Sequence, residues 1–306
     1  MVSNGEISCE GITKVYGGDK RALSEVNFTI PARGIFSLIG RNGAGKTTLA
    51  RILSTLLEPT SGRALIDGLD VMTDASTLRE RMAVVPQEGR AIPWMTPVQT
   101  IATYLMWRGM GRGEAKDKAR ESLVRVGMEA QADRLNSKLS GGMKRKVLVG
   151  MVIASGADYI FLDEPSTGLD PISRQELWNV LDELGRDRFV FLTTHYLDEA
   201  EKVADRIGIL DDGRLMALGT MDELRDMVRY QYSVRVSGRA RLPAVKGRVT
   251  TGRDGFRQVT TTQEEAMDLS RLLLSQDVQF AVNPISLDDI FYQFAGRTID
   301  NEEGSK

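Results

Sequence analysis

Gly40-Arg41-Asn42-Gly43-Ala44-Gly45-Lys46-Thr47-Thr48 decides how this chain is read. It fits G-x-x-x-x-G-K-[ST], the pattern of a phosphate-binding P-loop. The apolar run Ile35-Phe36-Ser37-Leu38-Ile39 precedes it, and Leu49 to Leu57 follow with apolar residues at helical spacing until Glu58-Pro59. The context is therefore strand, loop, helix, as the pattern requires. Glycines let backbone N–H groups converge on a phosphate, and the helix N-terminus adds positive partial charge beside them. Gly40, Asn42, Gly43, Ala44, Gly45, Lys46, Thr47 and Thr48 are the nucleotide-binding candidates of this loop. Lys46 is placed to reach the β- and γ-phosphates of ATP, and Thr47 to offer its hydroxyl to Mg²⁺. A bare glycine turn between a strand and a helix requires neither a lysine nor a hydroxyl.

Upstream, residues 6–12 and 22–30 alternate apolar and polar side chains, which predicts antiparallel strands of an edge sheet. Tyr16, in the turn between them, reads either as an aromatic stacking on a nucleotide base or as a turn residue packed on a core. Downstream, Arg63 to Gly68 form a short alternating hairpin, and Met82-Ala83-Val84-Val85 is a buried strand leaving through Pro86 into Gln87. A glutamine at such a strand end can bind Mg²⁺ and the attacking water, or can be a plain loop residue. Thr96-Pro97-Val98-Gln99 combines an N-cap, a first-turn proline and a capping partner, so a helix begins there. A charged helix follows over Glu114 to Val126. The helical segment spans about 97–155.

Leu139-Ser140-Gly141-Gly142-Met143-Lys144-Arg145-Lys146 has the form of a second anion site, a serine and two glycines opening a helix followed by bases. Next, Tyr159-Ile160-Phe161-Leu162-Asp163-Glu164 is an apolar strand ending in two acids, the Walker B arrangement. Asp163 is placed to hold Mg²⁺ opposite Thr47, and Glu164 to polarise a water for in-line attack. Ser173 and Glu176 have capping-box spacing in the helix opened by Pro171. Phe189 to Thr194 form another buried strand and deliver the single histidine, His195, to a strand end where open α/β sheets bind ligands. There it can hydrogen-bond a γ-phosphate.

Composition narrows the class. With 306 residues, 42% hydrophobic and 27% charged, this is an ordinary globular composition with room for one large core and a smaller second domain. No apolar run is long enough to cross a bilayer, and residues 1–6 lack the pattern of a signal peptide, so a cytoplasmic location is expected. A lone cysteine, Cys9, allows no internal disulfide. The net charge of -2 gives no global attraction to nucleic acid.

Gly40 to Thr48, Gln87, Leu139 to Met143, Leu162 to Pro165, Ser166-Thr167-Gly168-Leu169-Asp170 and His195 occur together in the order found in ATP-binding cassette ATPases. Over residues 6 to about 220 the chain resembles the nucleotide-binding subunit of an ABC transporter. Met143 stands where the family's signature usually carries glutamine, a variant shared with ABC-2-like exporters of drugs, lipids and polysaccharides. The resemblance implies a P-loop core with an antiparallel β subdomain and an α-helical subdomain. It implies Tyr16 as the adenine-stacking aromatic, Gln87 as the Q-loop residue and Mg²⁺ ligand, Ser140, Gly141 and Gly142 as the signature loop, Asp170 as the D-loop acid, and His195 as the switch histidine. It further implies Mg-ATP as cofactor, a second ATPase subunit that makes a homodimer, a separate transmembrane permease, and attachment through it to the cytoplasmic face of the membrane. Trp94, in a loop, would meet that permease, whereas Trp107 would fill the helical core. A soluble ABC ATPase of nucleic-acid repair or translation is the alternative, disfavoured by the absence of a long coiled-coil insertion and of a basic excess.

Beyond residue 220 the pattern changes to strands near 231–236, 255–260 and 278–282, a helix capped by Thr262 and Glu265, and a last helix over Leu287 to Ala295. Residues 1–220 are thus expected to form the ATPase domain and 221–306 a small α+β accessory domain. Arg235, Arg239, Arg241, Lys246, Arg248 and Arg253 in the latter form either an anion site or a solvated surface.

Overall fold

The computed structural model describes residues 5–296, apart from residues 239, 252–254 and 277, so Arg239 and Arg253 lie outside the described residues. The chain separates into two compact units, Met1–Leu218 and Gly219–Lys306.

The larger unit is built on a six-stranded sheet. Its strands are β3 (Gly34–Ile39), β6 (Met82–Val85), β7 (Tyr159–Asp163), β8 (Phe189–Thr194), β9 (Arg206–Asp211) and β10 (Arg214–Gly219). Their order is β10-β9-β3-β8-β7-β6, with β9, β3, β8, β7 and β6 mutually parallel. The central strands read as continuous apolar runs because both faces are covered. Alternate residues divide the faces. Phe36, Phe161, Phe189 and Phe191 point into one core and Ile35, Ile160, Val190 and Leu192 into the other. Phe28, Phe36, Phe191 and Phe161 form a chain of ring contacts with centroids 5.4 to 5.7 Å apart. Phe191 is fully buried at its centre. Phe191→Ala should therefore lower stability by about 3–5 kcal/mol, read from the shift in chemical-denaturation midpoint.

A second, four-stranded antiparallel sheet covers the aromatic face. It consists of β1 (Glu6–Tyr16), β2 (Lys20–Pro31), β4 (Ser61–Ile66) and β5 (Leu69–Asp70), in the order β2-β1-β4-β5. The alternation at residues 6–12 and 22–30 places Ile7, Cys9, Ile12, Leu23, Val26, Phe28 and Ile30 inward. Burial pushes the Cys9 thiol pKa well above its ordinary value, which suits an inert packing residue. Helices α1 (Lys46–Leu53) and α2 (Ala75–Arg81) flank this side.

The other face receives α5 (Gly141–Ser155) and α6 (Pro171–Gly185), with α3 (Pro97–Trp107) and α4 (Arg112–Arg125) packed on α5; α7 (Leu197–Val203) lies against β3, β8 and α6. The predicted capping box of α3 is present: Gln99 N–H donates to the Thr96 side chain, and Thr96 N–H to the Gln99 side chain. Two expectations are corrected. Asp170, not Ser173, caps α6, its carboxylate accepting from the N–H groups of Ile172 and Ser173. Proline favours the first helical position, so Pro171 sets the cap one residue before itself and leaves Ser173 already inside the helix. Trp107 does not fill the helical core but is 78% exposed. Ile101 and Leu105 define the buried stripe of α3, and a residue two places on lies roughly 200° around the axis from Leu105. Trp94 is likewise 75% exposed.

The smaller unit is an antiparallel sheet ordered β12-β13-β11-β14. It comprises β11 (Tyr232–Ser237), β12 (Arg248–Thr251), β13 (Phe256–Thr261) and β14 (Phe280–Pro284), with α8 (Met221–Asp226), α9 (Gln263–Ser275) and α10 (Leu287–Ala295). Ala266, Leu269 and Leu273 of α9 pack against Val234, Val236 and Val259 of the sheet. The strand β12 was not foreseen, since four residues flanked by Lys246-Gly247 offer little periodicity. Of the basic residues, Arg235 lies over the Phe256 ring and Arg248 over that of Tyr292.

Candidate functional site

Four parallel strands end at one edge and set the site. In register, Ile39 lies beside Thr194, Asp163 beside Thr193, and Leu162 beside both Val85 and Leu192. The residues that follow are Gly40, His195, Glu164 and Pro86-Gln87, so four separate stretches of sequence converge where such sheets bind ligands.

The glycine loop fits its role by geometry. Gly45 has φ of 108° as the N-cap of α1, and a Cβ there would lie 2.4 Å from the Ala22 carbonyl oxygen. A Cβ at Gly40 would lie 2.2 Å from the Leu210 carbonyl oxygen. Both positions thus demand glycine on contact grounds. Lys46 is buried, and its Nζ donates to the carbonyls of Gly40 at 2.6 Å and Arg41 at 3.1 Å. Burial lowers the Lys46 pKa from its ordinary value, with Glu164 and Asp163 acting in the opposite direction.

A cleft of about 540 Å³ opens above this loop. Tyr16, Asn42, Gly43, Gly45, Lys46, Thr47, Thr48, Gln87 and Glu164 line it. Tyr16 is partly exposed at the rim, with its hydroxyl 3.4 Å from Thr48 Oγ1 and Lys14 Nζ 5.5 Å from its ring centroid. Lys20 and Arg51 also line the cleft and were missed in the sequence. Arg51 falls four residues after Thr47 on α1, a helical spacing that could have flagged it.

Thr47 Oγ1 donates to Asp163 Oδ1 at 3.2 Å, and Thr193 Oγ1 donates to the same oxygen. The two oxygens expected to share Mg²⁺ are therefore adjacent. Glu164 lies next to them, with 7% exposure and φ of 50°. Gln87 Nε2 donates to its Oε2 at 3.0 Å, Thr167 Oγ1 to the same oxygen at 3.3 Å, and His195 Nδ1 faces its Oε1 at 3.2 Å. The His195 ring beside it is the main influence holding the Glu164 pKa below its usual value, against the opposing effect of burial. The carboxylate is thus ionised at neutral pH, as a proton acceptor requires.

Ser140, Gly141, Gly142 and Asp170 do not line this cleft. Ser140 caps α5 by accepting from Met143 N–H, and Asp170 is committed to the cap of α6. Met143 packs against the apolar core of the helical layer. Gly141 borders a second hollow of about 470 Å³ that also includes Gln87, Arg145 and Glu164. Arg145, read in the sequence only as one of several bases after the glycines, is 8% exposed and bonded to main-chain carbonyls around Glu164.

The ABC transporter family model matches residues 23–167. The chain is 31% identical to the daunorubicin/doxorubicin resistance ATP-binding protein DrrA of Streptomyces peucetius, over 96% of this chain and 94% of the relative. It is 33% identical to DrrA3 of Streptomyces coeruleorubidus, over 95% and 96% of the respective chains. Among solved structures, it superposes on a dimeric ATP-binding cassette in a post-hydrolysis state bound to ADP and Pi, with a TM-score of 0.63 and 26% identity over 70% of this chain and 98% of that one. A bacterial Atm1-family ABC exporter with ATP bound gives a TM-score of 0.65 and 25% identity over 74% of this chain and 40% of that one.

Proposed function

Because this chain belongs to the ATP-binding proteins of ABC transporters, we propose that two copies close around two ATP molecules and drive export through a separate membrane protein. The chain is an ATP-binding and ATP-hydrolysing subunit, homologous to exporter ATPases. No helix among the described residues is long and apolar enough to cross a membrane, which fits a partner that supplies the membrane path. Exposed Trp94 is our candidate contact with that partner, on the membrane's cytoplasmic face.

The observation that carries the site assignment is the convergence of Gln87, Thr167 and His195 on the Glu164 carboxylate, beside the Thr47–Asp163 pair. In this reading the loop from Gly40 to Thr48 holds the phosphates, Tyr16 stacks on the adenine, Glu164 accepts the proton of the attacking water, and His195 orients Glu164 and meets the γ-phosphate. Thr47 and Asp163, with Gln87 nearby, suit Mg²⁺, which takes one or two protein oxygens and completes its shell with phosphates and water. When bound, Mg²⁺ neutralises charge on the β- and γ-phosphates. Ser140, Gly141, Gly142 and Asp170 are assigned to the nucleotide held by the second copy, in keeping with their places outside this chain's own cleft. We assign residues 1–220 to the ATPase domain and 221–306 to an accessory domain, which the split between Leu218 and Gly219 supports.

Light scattering tests the shared site. Glu164→Gln with Mg-ATP should show twice the mass it shows without nucleotide. A monomer that still binds ATP would reject the homodimer.

A further inference from the structure

A single side chain outside the nucleotide cleft ties together the three stretches that surround Glu164. Arg145, on α5 about a turn and a half past the Ser140 cap, makes five hydrogen bonds, as many as its guanidinium has N–H donors. Its Nε donates to the Pro165 carbonyl at 3.3 Å. Its Nη1 donates to the carbonyls of Pro86 at 3.2 Å and Gln87 at 3.3 Å. Its Nη2 donates to those of Asp163 and Glu164. Every acceptor is main chain, and together they belong to the end of β7, the loop after it, and the exit from β6.

That placement bears on a strained residue. Glu164 has φ of 50°, in the left-handed region that non-glycine residues seldom adopt because Cβ crowds the following carbonyl oxygen. Such a backbone persists only where its surroundings fix it from several sides. Here Glu164 N–H donates to both the carbonyl and the hydroxyl of Thr193, while the peptide carbonyls on either side of the Glu164 Cα, those of Asp163 and Glu164, accept from Arg145. The same guanidinium holds Gln87 by its carbonyl while the Gln87 amide reaches the Glu164 carboxylate. We infer that Arg145 is a positioning residue that holds Glu164 in its left-handed conformation and so makes ATP hydrolysis depend on where α5 and the Gln87 loop lie. The inference rests on the reading of Glu164 as the proton acceptor. Since Ser140 caps α5 and Gly141 and Gly142 open it, one helix then links the loop assigned to the second copy's nucleotide with the acid that acts on its own.

Arg145→Met and Arg145→Lys test this in the full-length protein. Lysine keeps a charge and three donors, whereas methionine keeps the bulk and no donor. Arg145→Met should lower kcat by about 10²-fold, the scale of a misplaced reacting group, while the Kd for Mg-ATP stays within about threefold. Arg145→Lys should recover part of that loss. In a Glu164→Gln background, Arg145→Met should cost little further, because its effect runs through a carboxylate that is already gone. Wild-type turnover in Arg145→Met would overturn the inference. So would parallel losses of nucleotide affinity and melting temperature in both variants with lysine no better than methionine, or a further full loss in the double variant. If Glu164→Gln alone hydrolyses ATP at the wild-type rate, it is the role of Glu164 that fails.

Discussion

Glu164→Gln should retain Mg-ATP binding and lose hydrolysis by about 10²–10⁴-fold, the range for a positioned general base. The substitution changes almost nothing in volume and leaves the backbone anchored by Thr193 and Arg145. It removes the proton acceptor and turns one carboxylate oxygen into an NH2 that only donates, while the remaining carbonyl oxygen can still accept from Gln87 Nε2 and Thr167 Oγ1. The phosphate loop lies on another strand and keeps its own contacts. Nucleotide affinity by fluorescence titration and phosphate release under saturating ATP separate the two effects. A variant that releases phosphate within tenfold of wild type would move the proton acceptor elsewhere, and His195 would be the next residue to test.

The parts of this site legible in the sequence are those whose chemistry is local. A phosphate loop is continuous, from Gly40 to Thr48, and its glycines, lysine and hydroxyl are meaningful at fixed spacing. Two acids at the end of an apolar strand are similarly plain, and period-two patterning located the sheet that covers the aromatic face. What the sequence hid was long-range. Nothing near Arg145 indicates that its acceptors lie at Pro86, Gln87 and residues 163–165, because main-chain carbonyls have no signature in the residues that carry them. Glu199 was passed over for a related reason. It is wholly buried, accepts from Ser166 Oγ and Trp178 Nε1, and has its pKa raised by burial, yet it sits in the charged stretch Asp198-Glu199-Ala200-Glu201, which reads as a solvated helix. Trp107 failed in the opposite direction, because size and apolarity favour burial on average while the phase of α3 decides it.

Lys46→Ala should lower kcat/KM by about 10²–10³-fold, the cost of removing one preorganised donor to developing charge, and here the loss should extend to ATP binding. Lys46 differs from Glu164 in what it touches. Its ammonium is buried beneath the glycine loop, bonded to two carbonyls of that loop, and balanced by Asp163 and Glu164 nearby. Truncation therefore removes a positive charge from a site that must accept a polyanion, and it leaves the carbonyls of Gly40 and Arg41 without that donor. Both consequences weaken the ground-state complex, so KM should rise as kcat falls, whereas Glu164→Gln lowers kcat with binding preserved. The pair of variants thus separates phosphate holding from proton transfer. Substantial hydrolysis by Lys46→Ala, with unchanged KM, would show that phosphate is bound somewhere other than the loop from Gly40 to Thr48, and the cleft beside Tyr16 would lose its assignment with it.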